Sequence, residues 1–267
     1  MRPLGTDGPM VSVLGLGTVK LGRNTGVKYP AGFALPTDAE ARRLLDTACE
    51  LGVNLIDTAP AYGVSEERLG ALIGHQPQRW GGWVLCTKVG EEYDARRNES
   101  RFDFSAPAVR DSVERSLRRL RAERLDVVLI HSDGNDLDIL HHSGAPEELD
   151  RLRGLGRIGR IGMSTKTVEG ALAAVESLDV VMVTLNPSAI DDLPAIARAR
   201  DLGKGVLVKK ALAQGHGASG EALRFAAATA GVSSVVVGTV SPEHLRENVR
   251  AAGPQAPGAH LREGSDH

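Results

Sequence analysis

The stretch that decides the fold is GVNLIDTAPAYGVSEERLG, which spans residues 52–70. A short apolar run at residues 53–56 ends abruptly at Asp57, and Tyr62 follows in a loop that contains proline and glycine. Ser65 is expected to begin a helix, because two glutamates come next and the amino-terminal end of a helix favours acidic side chains. A carboxylate at the end of a buried type of strand, followed by a loop tyrosine, indicates a functional site.

Two other apolar runs end in a polar side chain in the same way. Residues 84–87 run into Lys88, and residues 127–130 run into His131. In a parallel barrel the carboxyl ends of the strands converge on one mouth, so side chains that are distant in sequence meet there. Singly, each polar residue has an ordinary structural explanation, but together they supply complementary parts of one proton-transfer reaction. The four residues expected to meet are Asp57, Tyr62, Lys88 and His131.

Strand and helix patterns alternate along the rest of the chain, which predicts a parallel (β/α)8 TIM barrel in a single domain, residues 1–251. The expected strands are residues 11–17, 53–57, 83–88, 125–130, 160–163, 180–185, 205–209 and 234–237. Helices are expected to begin near Thr37, Ser65 and Ser105, and to span residues 146–155, 167–178, 191–202, 220–229 and 242–251.

The connecting segments are assigned by their composition. Turn residues within residues 2–13 predict a small β-hairpin before the barrel, and residues 20–36, 90–104 and 132–145 are expected to be loops. Substrate specificity is expected to depend on the last two loops. Residues 252–267 are rich in Gly, Pro and polar side chains, which predicts a disordered tail.

Composition restricts the partners and the compartment. The chain carries 32 Lys and Arg residues against 34 Asp and Glu residues, a formal net charge of −2. This balance gives no electrostatic case for binding nucleic acid or an anionic membrane. Cys49 and Cys86 make no disulfide framework, no signal-like segment follows Met1, and no apolar run approaches the roughly 20 residues of a membrane span. A reduced, soluble, cytoplasmic protein is expected.

The chain resembles the aldo-keto reductase family over nearly its whole length. The resemblance is carried by the four polar residues above and by Leu14-Gly-Leu-Gly-Thr18, Phe102-Asp-Phe-Ser105, Leu129-Ile-His131, Gly238-Thr239 and Glu247-Asn248. It implies a barrel whose floor is closed by the N-terminal β-hairpin. It also implies an NADP(H)-dependent oxidoreductase that acts on the carbonyl of an aldehyde or ketone, or on the corresponding alcohol.

The four polar residues fit the roles that carbonyl reduction requires. Tyr62 would give a proton to the substrate oxygen, and Lys88 would lower the pKa of this phenol by favouring the phenolate. Asp57 would keep Lys88 charged and oriented. His131 could donate a hydrogen bond that positions the substrate oxygen. None of the four is a source of hydride, so a cofactor is required, and the resemblance implies nicotinamide.

The resemblance also implies a set of cofactor contacts. They are Ser164 and Asn186 near the nicotinamide, Lys209 and Lys210 after the seventh strand, and Gly238, Thr239, His244, Glu247 and Asn248 at the adenosine end. Two positions depart from the family pattern. Lys209 stands where many members place a tyrosine that stacks on nicotinamide, and His244 stands where many place an arginine against the 2′-phosphate, although Arg246 is close. NADP is therefore expected, with NAD possible.

Several other interpretations have been weighed. Gly154-Leu-Gly156-Arg-Ile-Gly159 spells a dinucleotide-binding motif, but it follows a helix and precedes a strand, which predicts an ordinary turn. His141 and His142, near two aspartates, match no strong metal-ligand spacing, so no metal is expected. A cofactor-binding, redox-sensing subunit of the same fold is the alternative function, and a barrel isomerase or hydrolase would explain neither Tyr62 nor His131. The substrate, the reaction direction and the oligomeric state are left open.

Overall fold

The protein folds around a closed barrel of eight parallel strands. The computed structural model describes residues 1–27, 32–73, 82–212 and 219–253. The strands in chain order are β1 Arg2–Pro3, β2 Met10–Val11, β3 Leu14–Gly17, β4 Leu55–Asp57, β5 Val84–Val89, β6 Glu91–Asp94, β7 Glu99–Phe102, β8 Leu125–His131, β9 Ile158–Ser164, β10 Val180–Thr184, β11 Gly205–Lys209 and β12 Ser234–Gly238. The barrel runs β3-β4-β5-β8-β9-β10-β11-β12 and closes from β12 to β3, which confirms the predicted fold class.

Helices cover the outside of the barrel. In the described residues they are α1 Val19–Gly22, α2 Asp38–Glu50, α3 Ser65–Leu72, α4 Ala106–Leu120, α5 Asp136–His142, α6 Ala145–Gly154, α7 Val168–Ser177, α8 Leu193–Asp201, α9 Ser219–Ala228 and α10 Pro242–Ala252. The capping box predicted at Thr37 is present, because its hydroxyl accepts from the Glu40 N–H and Glu40 returns the contact. None of the described helices is long and apolar enough to cross a membrane.

The N-terminal hairpin closes the barrel floor as predicted. β1 pairs antiparallel with β2, and Leu4 and Val11 are buried in one cluster with inward-facing strand residues such as Leu55 and Leu207. The Thr6 N–H also donates to the Gly203 carbonyl, 2.7 Å away, just before β11. This end of the barrel is therefore a packed apolar plug.

The alternation of side chains along the strands explains why the mouth is polar. On β5, Val84 and Cys86 lie in the interior cluster, and Lys88 follows on the same face. On β8, the interior Val127 and Leu129 lead in the same way to His131. The last inward-facing position of each strand thus places its side chain at the mouth, above a layered apolar core.

Sequence reasoning missed short elements inside the expected loops. Residues 90–104 contain the β6–β7 hairpin, residues 132–145 contain α5, and α1 lies at the start of the predicted loop 20–36. The predicted first strand, residues 11–17, was too long because Val11 belongs to the floor hairpin.

Two predictions concern the ends of elements. Ser105 occupies the N-cap position of α4 without a side-chain capping bond, since its own N–H is held by Asp103 instead. Helix α10 extends through Ala252, which the prediction had assigned to the tail; residues 254–267 lie outside the described residues.

Candidate active site

A cavity of about 670 Å³ opens at the carboxyl ends of the barrel strands. All four residues expected from the strand-end pattern line it. Its volume lies in the range of sites for small molecules and cofactors, roughly 300–1,000 Å³.

Lys88 and Asp57 form a buried ion pair at the base of the cavity. Lys88 Nζ lies 2.7 Å from Asp57 Oδ1 and also donates to the Thr58 carbonyl at 2.8 Å. Burial by itself would lower the pKa of Lys88, but the Asp57 carboxylate outweighs it and holds the pKa of Lys88 above its ordinary value. The side chain of Lys88 is 1% exposed, so the cavity contains a fixed cation shielded from solvent.

Tyr62 lies beside this cation. It ends a 3-10 turn, Pro60–Tyr62, and Lys88 Nζ is 4.7 Å from the centroid of its ring. The next residue, Gly63, has φ +63, and a Cβ there would meet the Gly22 carbonyl oxygen at 2.3 Å. Glycine is therefore needed to turn the chain after Tyr62.

His131 faces both Tyr62 and an acidic residue that the sequence did not reveal. The Tyr62 and His131 rings meet edge to face, with centroids 6.4 Å apart. His131 Nδ1 lies 2.9 Å from Glu91 Oε2, at an angle that is poor for a hydrogen bond. The Nδ1 atom itself is buried, although the side chain as a whole is 20% exposed. Burial lowers the pKa of His131, and Glu91 opposes that effect only in part.

Glu91 is ionised in this arrangement. Burial raises its pKa, but the contact with His131 and the hydroxyl of Ser100, which donates at 2.6 Å, lower it to about 2. A neutral imidazole next to this carboxylate keeps its proton on Nδ1, which leaves Nε2 as an acceptor. Protonated on both nitrogens, His131 would be the donor that the sequence predicted; neutral with the proton on Nδ1, it would be an acceptor at Nε2.

Lys209 and Ser164 meet across the mouth. Lys209 Nζ donates to Ser164 Oγ at 2.8 Å and to the Thr165 carbonyl at 2.6 Å. Burial, followed by the charges of Lys210 and Lys88, lowers the pKa of Lys209 to about 7. The amine of Lys209 is therefore held by two neutral acceptors.

The far end of the cavity fits an anionic group. It is lined by Lys210, Gly238, Thr239, His244, Glu247 and Asn248. Ser241 caps α10 by accepting from the His244 N–H, and the first helical residue, Pro242, has no N–H, so this helix start offers its positive dipole end. A helix dipole, a lysine and a histidine together suit the phosphates of a dinucleotide, whereas the opposite end holds the proton-transfer residues.

Asn186, an expected cofactor contact, and Arg246, which is close to His244 in sequence, do not line the cavity. Asn186 does not line the cavity, because its amide donates to the Lys210 carbonyl and accepts from the Ser188 N–H. Arg246 Nη2 lies 3.7 Å from Glu50 on α2, away from the cavity lining. Sequence reasoning also missed three charged lining residues, Lys20, Glu91 and Lys166.

The glycine motif and the histidine pair noted in the sequence both lie outside the cavity lining. Helix α6 ends at Gly154 and β9 begins at Ile158, so the glycine motif is the predicted helix-to-strand turn. His142 contacts Asp138 one turn away, at 3.1 Å, whereas Asp136 accepts hydrogen bonds from Lys166 and Thr167. No group of three or more His, Cys, Asp or Glu side chains within the described ranges is arranged to hold a metal ion.

Comparisons with known proteins give a consistent result. The sequence model of the aldo/keto reductase family matches residues 13–220. A crystal structure described as an aldo-keto reductase from Pseudomonas aeruginosa shares 50% sequence identity, with a TM-score of 0.85, and the match covers 94% of this chain and 93% of that one.

Two curated relatives are named for their reactions. L-galactose dehydrogenase from Arabidopsis thaliana is 27% identical, over 94% of this chain and 87% of the relative. D-threo-aldose 1-dehydrogenase from a Pseudomonas species is 31% identical, over 62% of this chain and 58% of the relative.

Proposed function

Because the chain belongs to the aldo/keto reductase family, we propose that it is an NADP(H)-dependent oxidoreductase that interconverts an aldehyde or ketone and the corresponding alcohol. The observation that carries this proposal is the buried cation Lys88, which is paired with Asp57 and lies against Tyr62. Both named relatives are dehydrogenases, which supports an oxidoreductase.

Tyr62 is the proposed proton donor to a carbonyl, and the acceptor in the reverse direction. A nicotinamide cofactor supplies or accepts the hydride, so the protein must handle one proton on the substrate oxygen. A phenol with an ordinary pKa near ~10 is a weak acid at neutral pH. Lys88 favours the phenolate, and Asp57 keeps that cation in place without leaving it unpaired.

His131 is proposed to position the substrate oxygen. In the neutral form, which burial favours and Glu91 opposes only in part, its Nε2 accepts a hydrogen bond, which suits the hydroxyl of an alcohol. Tyr62 then exchanges the proton while His131 fixes the oxygen between the phenol and the hydride acceptor. This arrangement favours binding of the alcohol.

The far end of the cavity would hold the cofactor's phosphates. The N-terminus of α10 and Lys210 would meet the pyrophosphate, His244 would meet the 2′-phosphate, and Glu247 and Asn248 would meet the adenosine. Ser164 and Lys209 would lie at the nicotinamide end, and Gly238 and Thr239 between the two. Asn186 is left out of this set, since its amide donates to the Lys210 carbonyl and accepts from the Ser188 N–H.

Turnover tests the proposal directly. The purified protein is assayed with NADPH and NADH against aldehydes and aldoses, and with NADP⁺ and NAD⁺ against alcohols and sugars, because the named relatives act on sugars. Cofactor-dependent turnover, faster with the phosphorylated cofactor, is expected. Tight NADPH binding without turnover of any compound would contradict it and favour a redox-sensing subunit.

A further inference from the structure

Two lysines of the cavity are enclosed in different ways. Lys88 is matched by a carboxylate at 2.7 Å. Lys209 has no carboxylate within 4.0 Å of its Nζ among the residues that the structure describes, and both of its hydrogen-bond acceptors are neutral oxygens. Such a lysine has no ion pair to offset the free-energy cost of burying its charge.

Some charged groups around Lys209 lower its pKa and others raise it. The cations Lys210 and Lys88 disfavour its protonated form, and Lys209 in turn disfavours the protonated form of His131. Asp136 from α5 and Asp192 before α8 oppose this effect from a greater distance. With burial as the largest cause, the pKa falls to about 7, so about half of the Lys209 amines are neutral at pH 7.

The neutral amine is oriented for attack on an electrophile. Its two N–H groups can satisfy Ser164 Oγ and the Thr165 carbonyl, which leaves the lone pair on the remaining tetrahedral position. The side chain lines the cavity in which a carbonyl substrate would be held. A desolvated lysine next to another cation is the usual environment of imine-forming lysines in enzymes.

We propose that Lys209 is a carbonyl-reactive amine that captures small anionic aldehydes as an imine in the cofactor-free barrel. The Nζ lone pair adds to the carbonyl carbon, and one N–H proton passes to the oxygen to give a neutral carbinolamine. The hydroxyl then leaves together with the second N–H proton as water, and a C=N bond forms without any change of oxidation state.

The anionic class follows from the charges of the lining. Lys20, Lys166 and Lys210 line the cavity in addition to Lys209, whereas Lys88 is neutralised by Asp57. Only two further lining residues, Glu91 and Glu247, carry negative charge within the described part of the cavity. A carboxylate on the aldehyde would therefore be attracted to the same space, and a neutral aldehyde of the same size should react more slowly.

Reductive trapping tests the imine without using the oxidoreductase reaction. Cofactor-free protein is incubated at pH 7 with glyoxylate and cyanoborohydride, and the carboxymethylated lysine is located by peptide mass spectrometry. At this pH an ordinary lysine of pKa ~10.4 is neutral roughly a thousandfold less often than Lys209, so one predominant adduct at Lys209 is expected within short reaction times. Glycolaldehyde should label the same lysine more slowly.

Matched variants decide the assignment. Lys209→Met should abolish the predominant adduct, and Lys209→Arg should do the same while it retains a long cationic side chain. A lysine outside the cavity lining provides the control, because Lys204→Met should keep the adduct at Lys209. No adduct in the wild type, an adduct spread evenly over several lysines, or an adduct that survives in either Lys209 variant would overturn the proposal, whatever the turnover assays show.

Discussion

At the scale of single residues, substitutions in the buried pair Lys88–Asp57 distinguish an effect on catalysis from an effect on stability. Lys88→Met should greatly reduce turnover and displace the alkaline limb of the pH profile upward, because Tyr62 loses the cation that favours its phenolate. The same change leaves a buried carboxylate unpaired, which typically costs about 3–5 kcal/mol of stability.

The double variant Asp57→Asn/Lys88→Met is the control. It removes the unpaired carboxylate, so most of the lost free energy of unfolding should return in denaturant unfolding, while turnover stays low. Turnover that returns together with stability would mean that Lys88 acts only through the fold.

Lys209 should make the cofactor's affinity depend on the charge of the nicotinamide ring. The protonated amine repels the positively charged oxidised ring and not the neutral reduced ring. Because the pKa is lowered to about 7, this repulsion is present below pH 7 and disappears as the pH rises. NADP⁺ should therefore gain about tenfold in affinity relative to NADPH between pH 6 and pH 8.5, as estimated from the neutral fraction of the amine.

Equilibrium titrations of both cofactors provide that measurement. Taking the ratio cancels the titration of the 2′-phosphate, which both cofactors carry. Lys209→Met should make the ratio independent of pH, and Lys210→Met should not. A ratio that is already flat in the wild type would rule out this role of Lys209.

Individual site residues differ in how far the sequence could predict them. Asp57, Lys88 and His131 were predictable because each ends an apolar run on the inward-facing register. Glu91 was not, since it reaches His131 only after the chain turns into an unrecognised hairpin. Arg246 is close to His244 in sequence but lies on a different face of the helix. His244, Glu247 and Asn248 share one face, because they are three and four residues apart.

At the scale of elements, the β6–β7 hairpin affects the pKa of His131 through Glu91. Glu91→Gln removes the carboxylate that partly sustains the pKa of His131, so this pKa should fall further. The acid limb of alcohol oxidation, where protonation of Nε2 would block the acceptor, should then move to lower pH. The KM for the alcohol should rise, because the amide no longer fixes the tautomer.

The adjacent residue supplies the matched control for this experiment. Glu92 contacts Arg115 and Ser112 on α4 instead of His131, so Glu92→Gln should leave the acid limb in place. An acid limb that moves equally in both variants would contradict the assigned role of Glu91.

The N-terminus of α10 is the element expected to select NADP over NAD. His244→Ala should reduce the preference for NADP(H), because it removes the side chain that is proposed to meet the 2′-phosphate. Arg246→Ala should leave the preference unchanged, since this side chain lies toward Glu50. Equilibrium titrations of both cofactors test this; a preference lost in the arginine variant and kept in the histidine variant would reverse the assignment.

The elements that sequence reasoning missed share a physical cause. The hairpin strand Glu91–Asp94 is only half-buried on both faces, so it shows no alternation of apolar and polar residues. Helix α5 has seven residues and buries only two apolar side chains, Ile139 and Leu140, which is too short a pattern to recognise. Long elements with one buried face were recognised, although their ends shifted by a few residues.

At the scale of the whole molecule, barrel closure brings separate segments to one mouth. Asp57 pairs in register with Cys86, Lys88 with Leu129, and His131 with Ser164, so the strand pairing itself fixes the order of the polar side chains. The sequence predicted this convergence from strand ends alone. It could not predict the cavity walls, because they come from loops and short elements whose backbone paths are set by tertiary contacts.

The most direct test of the proposed reaction is a single-turnover measurement of hydride transfer in Tyr62→Phe. This change removes one hydroxyl and keeps the ring that contacts His131 and Lys88, so the fold and NADPH affinity should be nearly unchanged. The enzyme–NADPH complex is mixed with a turned-over aldehyde while the decay of NADPH fluorescence is followed. The rate should fall by ~10²–10⁴-fold, the typical contribution of general acid catalysis. A near-normal rate with NADPH still tightly bound would contradict Tyr62 as the proton donor.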